Sequence, residues 1–180
     1  MKKTFPVLET DRLILRQVIE SDKNDMFEYL SDPRVMQYYG MEPFTESKSI
    51  QSEIDWYSSI FYEKSGVRWG ICLKDDGKMI GSCGFHNRES KHFRAEIGYE
   101  LHHDYWGKGI AKEALAAILL YGFTELKLMR IQAFIEPANV PSRSLVKKLG
   151  FKEEGLLRKY EYTVGKFDDV YIYSLLKGEM

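Results

Sequence analysis

Apolar positions along the chain follow two spacings, and each spacing predicts a different kind of element. Between Thr45 and Lys64 the apolar side chains are three or four residues apart, so they share one face of a helix. These positions are Ile50, Ile54, Tyr57, Ile60 and Phe61. A wider apolar stripe follows Gly109 and predicts a helix that packs on a sheet. It comprises Ile110, Ala114, Ala117, Ile118 and Tyr121, with Leu115, Leu119 and Phe123 on the adjoining flank.

Shorter apolar runs bounded by turn residues predict strands. The turn Asp75–Gly77 separates two such runs, which is the pattern of a hairpin, and Gly165 joins the last two runs of the chain. The predicted strands are Leu13–Val18, Arg68–Lys74, Met79–Phe85, Ala95–Leu101, Met129–Ile135, Leu157–Thr163 and Val170–Leu176.

Two more helices are predicted from their end signals. The segment Glu20–Asp22 offers capping side chains for a helical stretch that ends near Pro33, and Gly150 ends a short helix over Ser142–Leu149. The order is a strand, two helices, three strands, a helix, a strand, a helix and two strands. This order predicts the α/β class with a mixed sheet. No linker or repeat divides residues 1–180, so we expect a single domain.

Composition narrows the functional classes. The chain has 180 residues, 44% of them hydrophobic, with 26 Lys and Arg against 27 Asp and Glu. This balance leaves no overall positive field that would attract nucleic acid. No apolar run reaches the length of a signal sequence or a membrane span, so we expect a cytoplasmic protein without a membrane partner. Cys72 and Cys83 are expected to be reduced thiols in strands.

The segment Trp106–Ala111 (WGKGIA) lies between a predicted strand and a predicted helix and contains two glycines. Unpaired amides at the start of a helix bind phosphate, and glycine allows close approach and positive φ. The nucleotide-binding patterns GxxxxGK[ST] and GxGxxG are both absent here. An ordinary strand-to-helix turn also explains the two glycines, so the segment alone leaves both interpretations open.

Longer segments carry a family resemblance. Glu96–Leu115 (EIGYELHHDYWGKGIAKEAL) followed by Asn139–Phe151 (NVPSRSLVKKLGF) resembles the paired acetyl-CoA motifs of the GNAT N-acetyltransferases. The opening Glu9–Arg16 (ETDRLILR) and the closing Tyr160–Leu176 (YEYTVGKFDDVYIYSLL) resemble the RimJ/RimL branch, the N-terminal acetyltransferases of ribosomal proteins. The resemblance implies the GNAT fold, an α/β (α+β) arrangement with a mixed, mostly antiparallel twisted sheet of about seven strands flanked by about four helices.

The resemblance also implies which residues contact the cosubstrate, acetyl-CoA. In the family, the strand before the loop splays from its neighbour and offers backbone N–H groups to the pantetheine arm and the thioester carbonyl. The implied residues are Gly98, Tyr99, Glu100 and Leu101 on the strand, Trp106, Gly107, Lys108, Gly109, Ile110 and Ala111 in the loop, and Asn139 and Ser142 beyond them. Trp106 stands where the superfamily usually has Gln or Arg, so we expect it to mark a branch of the family rather than to make a polar phosphate contact.

The same resemblance implies the catalytic groups. Ser142 stands in the Asn-x-x-Ser arrangement of RimL-type enzymes, in which the serine protonates the departing thiolate, and Glu161 resembles the glutamate that acts on the substrate amine. From the residues alone, Ser142 could instead cap a helix, and Glu161 could face solvent and leave Tyr160 or Tyr162 nearest the chemistry. Glu100 is a second candidate for the base.

Other reactive or charged groups are weaker candidates. No base is tied to Cys83, so direct transfer in a ternary complex is expected. The histidines lack metal-ligand spacing, and adjacent histidines in an extended segment diverge, so no metal is predicted. They are His86, His92, His102 and His103. The basic residues Arg143, Lys147 and Lys148 either meet the 3′-phosphate of the cofactor or form a solvated helix face.

The acceptor amine is open between classes. The resemblance implies a protein N-terminal α-amine such as that of a ribosomal protein, which at a pKa near ~8 is already partly neutral. The aromatic and acidic segment Gln37–Glu46 stands where the family shapes its acceptor cleft, and it suits a peptide end or a small amine such as a polyamine or an antibiotic. A non-catalytic acyl-CoA-binding regulatory module is the remaining alternative. A homodimer or a larger homo-oligomer is compatible with each.

Overall fold

Strands dominate the computed structural model, which describes residues 4–180. The strands of this part of the chain are β1 (Leu8–Glu9), β2 (Leu13–Arg16), β3 (Val67–Leu73), β4 (Met79–Glu89), β5 (Arg94–Leu101), β6 (Arg130–Ile135), β7 (Lys152–Thr163) and β8 (Lys166–Leu176). The α-helices are α1 (Lys23–Leu30), α2 (Pro33–Met36), α3 (Gln51–Tyr62), α4 (Ile110–Thr124) and α5 (Val140–Lys148). The predicted class, with a mixed and mostly antiparallel sheet, is confirmed.

All of these strands join one sheet in the order β1-β2-β3-β4-β5-β6-β8-β7. Neighbours are antiparallel except β5 and β6, which run parallel. Their pairing covers only Arg94–Glu96 opposite Arg130–Gln132, although β5 continues to Leu101. Among the described residues, the second half of β5 therefore has strand β4 on one side and no strand on the other. The sheet is open at its centre, as the family resemblance implies.

Two apolar clusters hold the helices to opposite faces of the sheet. Trp69 and Ile71 belong to the larger cluster, which includes the buried face of α4, whereas Cys72 belongs to the smaller cluster with α1 and α3. Every residue of β3 except the last is buried, because both of its faces are covered. The buried ring of Trp69 keeps its hydrogen bond, since the indole N–H donates to the carbonyl oxygen of Pro6 at 2.8 Å.

The structure corrects the predicted elements mainly at their ends. The helix expected to end near Pro33 stops at Leu30, and Pro33 instead begins α2. Proline suits the first turn of a helix, where its missing N–H costs nothing. Asp22 is the N-cap residue of α1, but its side chain makes no capping hydrogen bond to that helix. Its carboxylate instead accepts from the amide of Ile19 at 2.8 Å and from the guanidinium of Arg16.

Further corrections concern short elements and long hairpins. The two-residue strand β1 and the four-residue helix α2 were not predicted, which brings the strands to eight and the helices to five in the described part of the chain. Strands β7 and β8 extend beyond the predicted bounds. Helix α5 begins at Val140 and not at Ser142.

Two predictions about composition can also be compared with the structure. Cys72 and Cys83 are free and buried in strands, as expected. No helix of the described residues combines the length and the apolar character needed to cross a bilayer.

Candidate active site

The segment Trp106–Ala111 comprises the turn that leads into α4 and the first two residues of that helix. Gly107 has φ of 73° and Gly109 has φ of 76°, and Gly109 is the N-cap of α4. A Cβ added at Gly107 would meet no atom within 4 Å, so the protein does not crowd this position. Glycine is needed here for backbone conformation, and the loop surface stays free for a ligand. The first amides of a 15-residue helix are therefore accessible here, which is the arrangement that binds anions.

The Trp106 side chain braces this loop. Its indole N–H donates to the carbonyl oxygen of Leu101 at 2.7 Å, and half of the residue remains exposed. The polar atom of the indole is therefore used within the protein. The indole N–H of Trp106 is therefore not free to donate to a phosphate.

Arg12 is a second brace, which the sequence analysis missed. Its guanidinium donates to the carbonyl oxygen of Lys108 at 3.0 Å and to the carboxylate of Glu113 at 2.7 Å. Glu113 lies in the first turn of α4 and also accepts from the Thr10 hydroxyl at 2.6 Å. The turn before β2 is thus tied to the glycine loop. The segment Glu9–Arg16 had been noted only as a family likeness, and nothing local in it signals a partner some 96 residues away.

The open edge of β5 continues the candidate cofactor surface. The amide of His102 donates to Ile80 of β4, and amides alternate in direction along an antiparallel strand. The amides of Gly98 and Glu100 therefore point toward β4, whereas those of Tyr99 and Leu101 point to the open side. Only two of the four amides expected to contact acetyl-CoA face the opening.

Gly98 contributes by having no side chain. A Cβ there would lie 2.9 Å from Nη1 of Arg68 and 3.2 Å from the His86 ring. Arg68 is buried, pairs with the Glu100 carboxylate and donates to Ser82 Oγ at 2.7 Å. The Glu100 carboxylate is therefore engaged in this buried network, and Glu100 as a second candidate for the base remains a prediction.

Ser142 lies on the other side of the opening, in the first turn of α5. Its amide donates to Oδ1 of Asn139, so Asn139 is the residue that caps the helix. The alternative in which Ser142 itself is the cap is wrong. Its hydroxyl instead contacts the Tyr99 hydroxyl at 2.5 Å. Burial raises the pKa of Tyr99 to about 12, and the hydrogen bond with Ser142 opposes that shift.

Glu161 faces the same cleft, which has a volume of about 600 Å³. The neighbouring Tyr160 and Tyr162 are 54% and 65% exposed, as alternation along β7 requires. Burial is the largest cause that raises the pKa of Glu161, and the carboxylates of Glu96 and Asp168 add to the effect. Within the described residues, no side chain pairs with the Glu161 carboxylate.

The wall around Glu161 is acidic and aromatic. Its other carboxylates come from Glu53, Glu96, Glu100 and Glu136, and its basic residues are Arg68 and His86. Burial raises the pKa of both Glu53 and Glu136.

The aromatic side chains of the cleft wall are Tyr38, Tyr39, Trp56, Tyr99 and Phe134. Part of the predicted acceptor segment Gln37–Glu46 thus lies in the cleft wall. Glu136 was not predicted, because an isolated glutamate after a strand carries no distinctive pattern.

Two of the three basic residues on α5 are already engaged. Arg143 donates to the Tyr173 hydroxyl and to the carbonyl oxygen of Pro137, each at 3.0 Å, and Lys147 pairs with Glu153 at 2.9 Å. Among the described residues, Lys148 has no ion-pair partner, so it is the member of this group most available to a phosphate.

The histidine pair shows a second correction. The rings of His102 and His103 stack with centroids 4.9 Å apart, because His103 begins a tight 3-10 turn and not an extended segment. The expectation that they diverge is wrong. With Asp104 they form the one His/Asp group of the described residues compact enough for a metal ion. The two nitrogens of His103 already lie 2.9 Å from Asp32 and 2.8 Å from Asp104, and the absence of a metal remains a prediction.

Comparisons with known proteins show the family to which the chain belongs. The family model described as an acetyltransferase (GNAT) domain matches residues 12–152. The chain belongs to the GNAT acetyltransferases and is an acetyltransferase enzyme. This confirms the family predicted from Glu96–Leu115 and Asn139–Phe151.

Individual relatives cover almost the whole chain. YoaA of Bacillus subtilis (strain 168), an uncharacterised N-acetyltransferase, is 42% identical over 96% of this chain and 98% of its own length. The [ribosomal protein uS5]-alanine N-acetyltransferase of Escherichia coli (strain K12) is 28% identical over 93% of this chain and 89% of its own. The crystal structure of a GNAT-family acetyltransferase from Bacillus anthracis superposes with a TM-score of 0.86 at 30% identity, covering 97% and 100% of the two chains.

Proposed function

We propose that this enzyme transfers the acetyl group of acetyl-CoA directly to a protein N-terminal α-amine in a ternary complex. The observation that carries the proposal is one cleft in which Ser142 lies beside the open edge of β5 and the unpaired carboxylate of Glu161 lies in the acidic wall. The family uses acetyl-CoA, and the glycine loop and the two free amides of β5 suit its pyrophosphate and its pantetheine arm.

Each step of the transfer has a candidate group in this chain. Acetyl-CoA supplies the acetyl group and the thiolate that leaves. Glu161 accepts a proton from the acceptor ammonium, directly or through a water, and leaves a nitrogen lone pair that can form the new N–C bond. The C–S bond breaks with its electron pair on sulfur, and Ser142 donates a hydrogen to that sulfur. The nitrogen loses two protons on going from ammonium to amide. One passes through Glu161 to solvent before the N–C bond forms. The second leaves the nitrogen after that bond has formed and balances the proton that Ser142 gives to sulfur, so both residues return to their starting state.

A covalent acetyl-enzyme has no support in the structure. Cys83 is fully buried, and burial raises the pKa of its thiol. A buried neutral thiol is a poor nucleophile. Direct transfer between two bound substrates is therefore the simpler mechanism.

The acidic wall supports a cationic acceptor. Glu136 and Glu161 have raised pKa values and lack a partnering side chain among the described residues. An ammonium group bound near them would therefore stabilise the charged form of both carboxylates. The relative from Escherichia coli at 28% identity acts, according to its name, on the nitrogen of an alanine of ribosomal protein uS5, and the free amine that an alanine residue can offer is an α-amine. These two observations favour an α-amine at the end of a polypeptide.

A panel of acceptors tests this proposal. One peptide that carries an alanine N-terminus and an internal lysine is compared with the same peptide blocked at its α-amine, and with spermidine and an aminoglycoside. We expect turnover on the free peptide and none on the blocked one. Turnover on the small amines alone would replace the protein acceptor by a small-molecule one. Tight acetyl-CoA binding without turnover on any acceptor would support a regulatory acyl-CoA-binding module instead.

A further inference from the structure

The hydroxyl of Tyr99 reaches the group proposed as the acid. Its oxygen lies 2.5 Å from Ser142 Oγ and 3.5 Å from the Ser142 carbonyl oxygen. Tyr99 is on β5 and Ser142 is on α5, so this contact bridges the opening in the sheet. The resemblance had implicated Tyr99 only through its backbone amide.

Both partners in this contact are held by the fold. The Ser142 amide is fixed by the side chain of Asn139, at 3.2 Å, and α5 begins at the next residue, Val140. The Tyr99 ring packs against the larger apolar cluster, which leaves its hydroxyl at the cleft wall. The contact with Tyr99 is the one hydrogen bond of the Ser142 hydroxyl among the described residues.

The direction of the hydrogen bond follows from the chemistry of the two hydroxyls. A phenol is a stronger donor than an aliphatic alcohol, and each hydroxyl offers one hydrogen and two lone pairs. Burial raises the pKa of Tyr99, so the phenol stays protonated and keeps the hydrogen it donates. With one lone pair of Ser142 Oγ occupied by Tyr99, the hydrogen of Ser142 must point elsewhere.

We infer that Tyr99 is a positioning residue whose hydroxyl donates to Ser142 Oγ and directs the serine hydrogen into the cleft, toward the departing sulfur. The inference rests on the proposed role of Ser142 as the acid. Donation by Tyr99 also polarises the serine O–H bond, which makes it a better donor in turn. Tyr99 itself touches neither sulfur nor acceptor in this role.

Three variants test the inference: Tyr99→Phe, Ser142→Ala and the double variant. Tyr99→Phe keeps the ring and Ser142→Ala keeps the cap from Asn139, so both should fold, which thermal unfolding checks. The matched control is Tyr121→Phe, since the Tyr121 hydroxyl has no hydrogen-bond partner among the described residues and its ring packs on Trp69. The measured quantities are kcat and the KM for acetyl-CoA.

We expect Tyr99→Phe to lower kcat by about 10-fold, the effect of one hydrogen bond, with the KM for acetyl-CoA changed by less than about twofold. Because Tyr99 acts through Ser142, the double variant should be no slower than Ser142→Ala alone. Tyr121→Phe should match the parent enzyme.

Three other outcomes separate this inference from the proposed function on which it rests. If Ser142→Ala is slow but Tyr99→Phe is normal, or if Tyr99→Phe slows the Ser142→Ala enzyme by its full factor, the positioning role is overturned while Ser142 remains the acid. If Ser142→Ala turns over normally, the proposed acid fails and the positioning role fails with it.

Discussion

The two halves of the candidate active site are built from different parts of the polypeptide. The cofactor half consists of the open edge of β5 and the loop Trp106–Ala111, and it offers backbone amides fixed by Gly107 and Gly109. The acceptor half offers side chains from several elements, chiefly the carboxylates of Glu136 and Glu161. The position of a backbone amide depends on conformation and barely on residue identity, whereas a carboxylate is lost when its residue is replaced. Substitutions in the cofactor half should therefore impair cofactor binding through backbone strain, and substitutions in the acceptor half should impair activity through loss of charge.

Replacing Gly109 should have the largest effect. Gly109→Val places a β-branched residue at φ of 76°, and we expect CoA affinity to fall by roughly 100-fold or more, because such strain costs about 1–3 kcal/mol and the amides also lose their direction. Isothermal titration calorimetry with CoA measures this.

Gly77 provides the matched control. It has φ of 75°, meets nothing within 4 Å and lies in the β3–β4 turn, away from the cleft. Gly77→Val should carry similar strain and lower the unfolding temperature, yet bind CoA normally. Equal CoA affinity in the Gly109→Val and Gly77→Val proteins would remove the phosphate site from this loop.

Removing the charge of Glu161 should come next. Glu161→Gln is expected to lower kcat by about 10²-fold with little change in CoA affinity, since a general base contributes that much. The raised pKa of Glu161 means that kcat/KM falls as the pH drops through a value above the ordinary 4.5, where the carboxylate becomes protonated. That acidic limb should disappear in the variant.

The control for charge removal is Glu154→Gln on the same strand. Glu154 pairs with Arg130 outside the cleft, and the hydrogen bond from Arg130 lowers its pKa to about 2. We expect Glu154→Gln to reduce stability and to keep turnover.

The stability of Glu161→Gln is a further check. Folding raises the pKa of Glu161 and so disfavours its charged form at neutral pH, and the unfolding temperature of Glu161→Gln should therefore be no lower than that of the parent. A normal pH profile in Glu161→Gln would return this residue to a structural role.

Glu136 should show a smaller effect, confined to the acceptor. Glu136→Gln is expected to raise the KM for the amine by about 5–10-fold with kcat nearly unchanged, because it attracts the ammonium without touching the transferred proton. Higher salt should narrow the difference between variant and parent. The exposed Glu63, at the end of α3, supplies the control Glu63→Gln. An unchanged KM in Glu136→Gln would confine acceptor recognition to other residues.

The smallest effect is expected at the brace of the cofactor half. Arg12→Ala removes the contacts to Lys108 and Glu113 but no loop amide, so the KM for acetyl-CoA should rise by about threefold, as is typical for a half-exposed ion pair. Steady-state kinetics at two salt concentrations measures it. A loss of CoA affinity as large as that expected for Gly109→Val would mean that Arg12 contacts the cofactor directly.

The sequence predicted the glycine turn and the helix of the cofactor half well because their determinants are local. Gly107 and Gly109 lie within one turn, and the helix they precede has a clear apolar stripe. Local propensity also explains most strands and the free cysteines. It failed where a short turn changes side-chain directions, as at His102 and His103. It also failed where the helix cap is Asn139, three residues before the expected Ser142.

The acceptor half could be predicted only in part, because it is assembled by tertiary structure. Ser142 and Glu161 were named through a family resemblance, which remains their main support as catalytic groups. Two contacts outside this half were missed for the same reason: Tyr99 with Ser142 joins residues 43 apart, and the brace of the cofactor half, Arg12 with Lys108, joins residues 96 apart. No periodicity along the chain encodes such pairs.

A crystal structure with CoA and an acceptor peptide tests the central claim most directly, namely that the backbone half holds the cofactor and the side-chain half holds the amine. We predict the pyrophosphate on the amides of Gly107–Ala111, the sulfur beside Ser142 Oγ, and the peptide α-amine on the Glu161 side of the sulfur. A pyrophosphate bound away from that loop, or a sulfur with neither Ser142 nor Glu161 near it, would contradict the account.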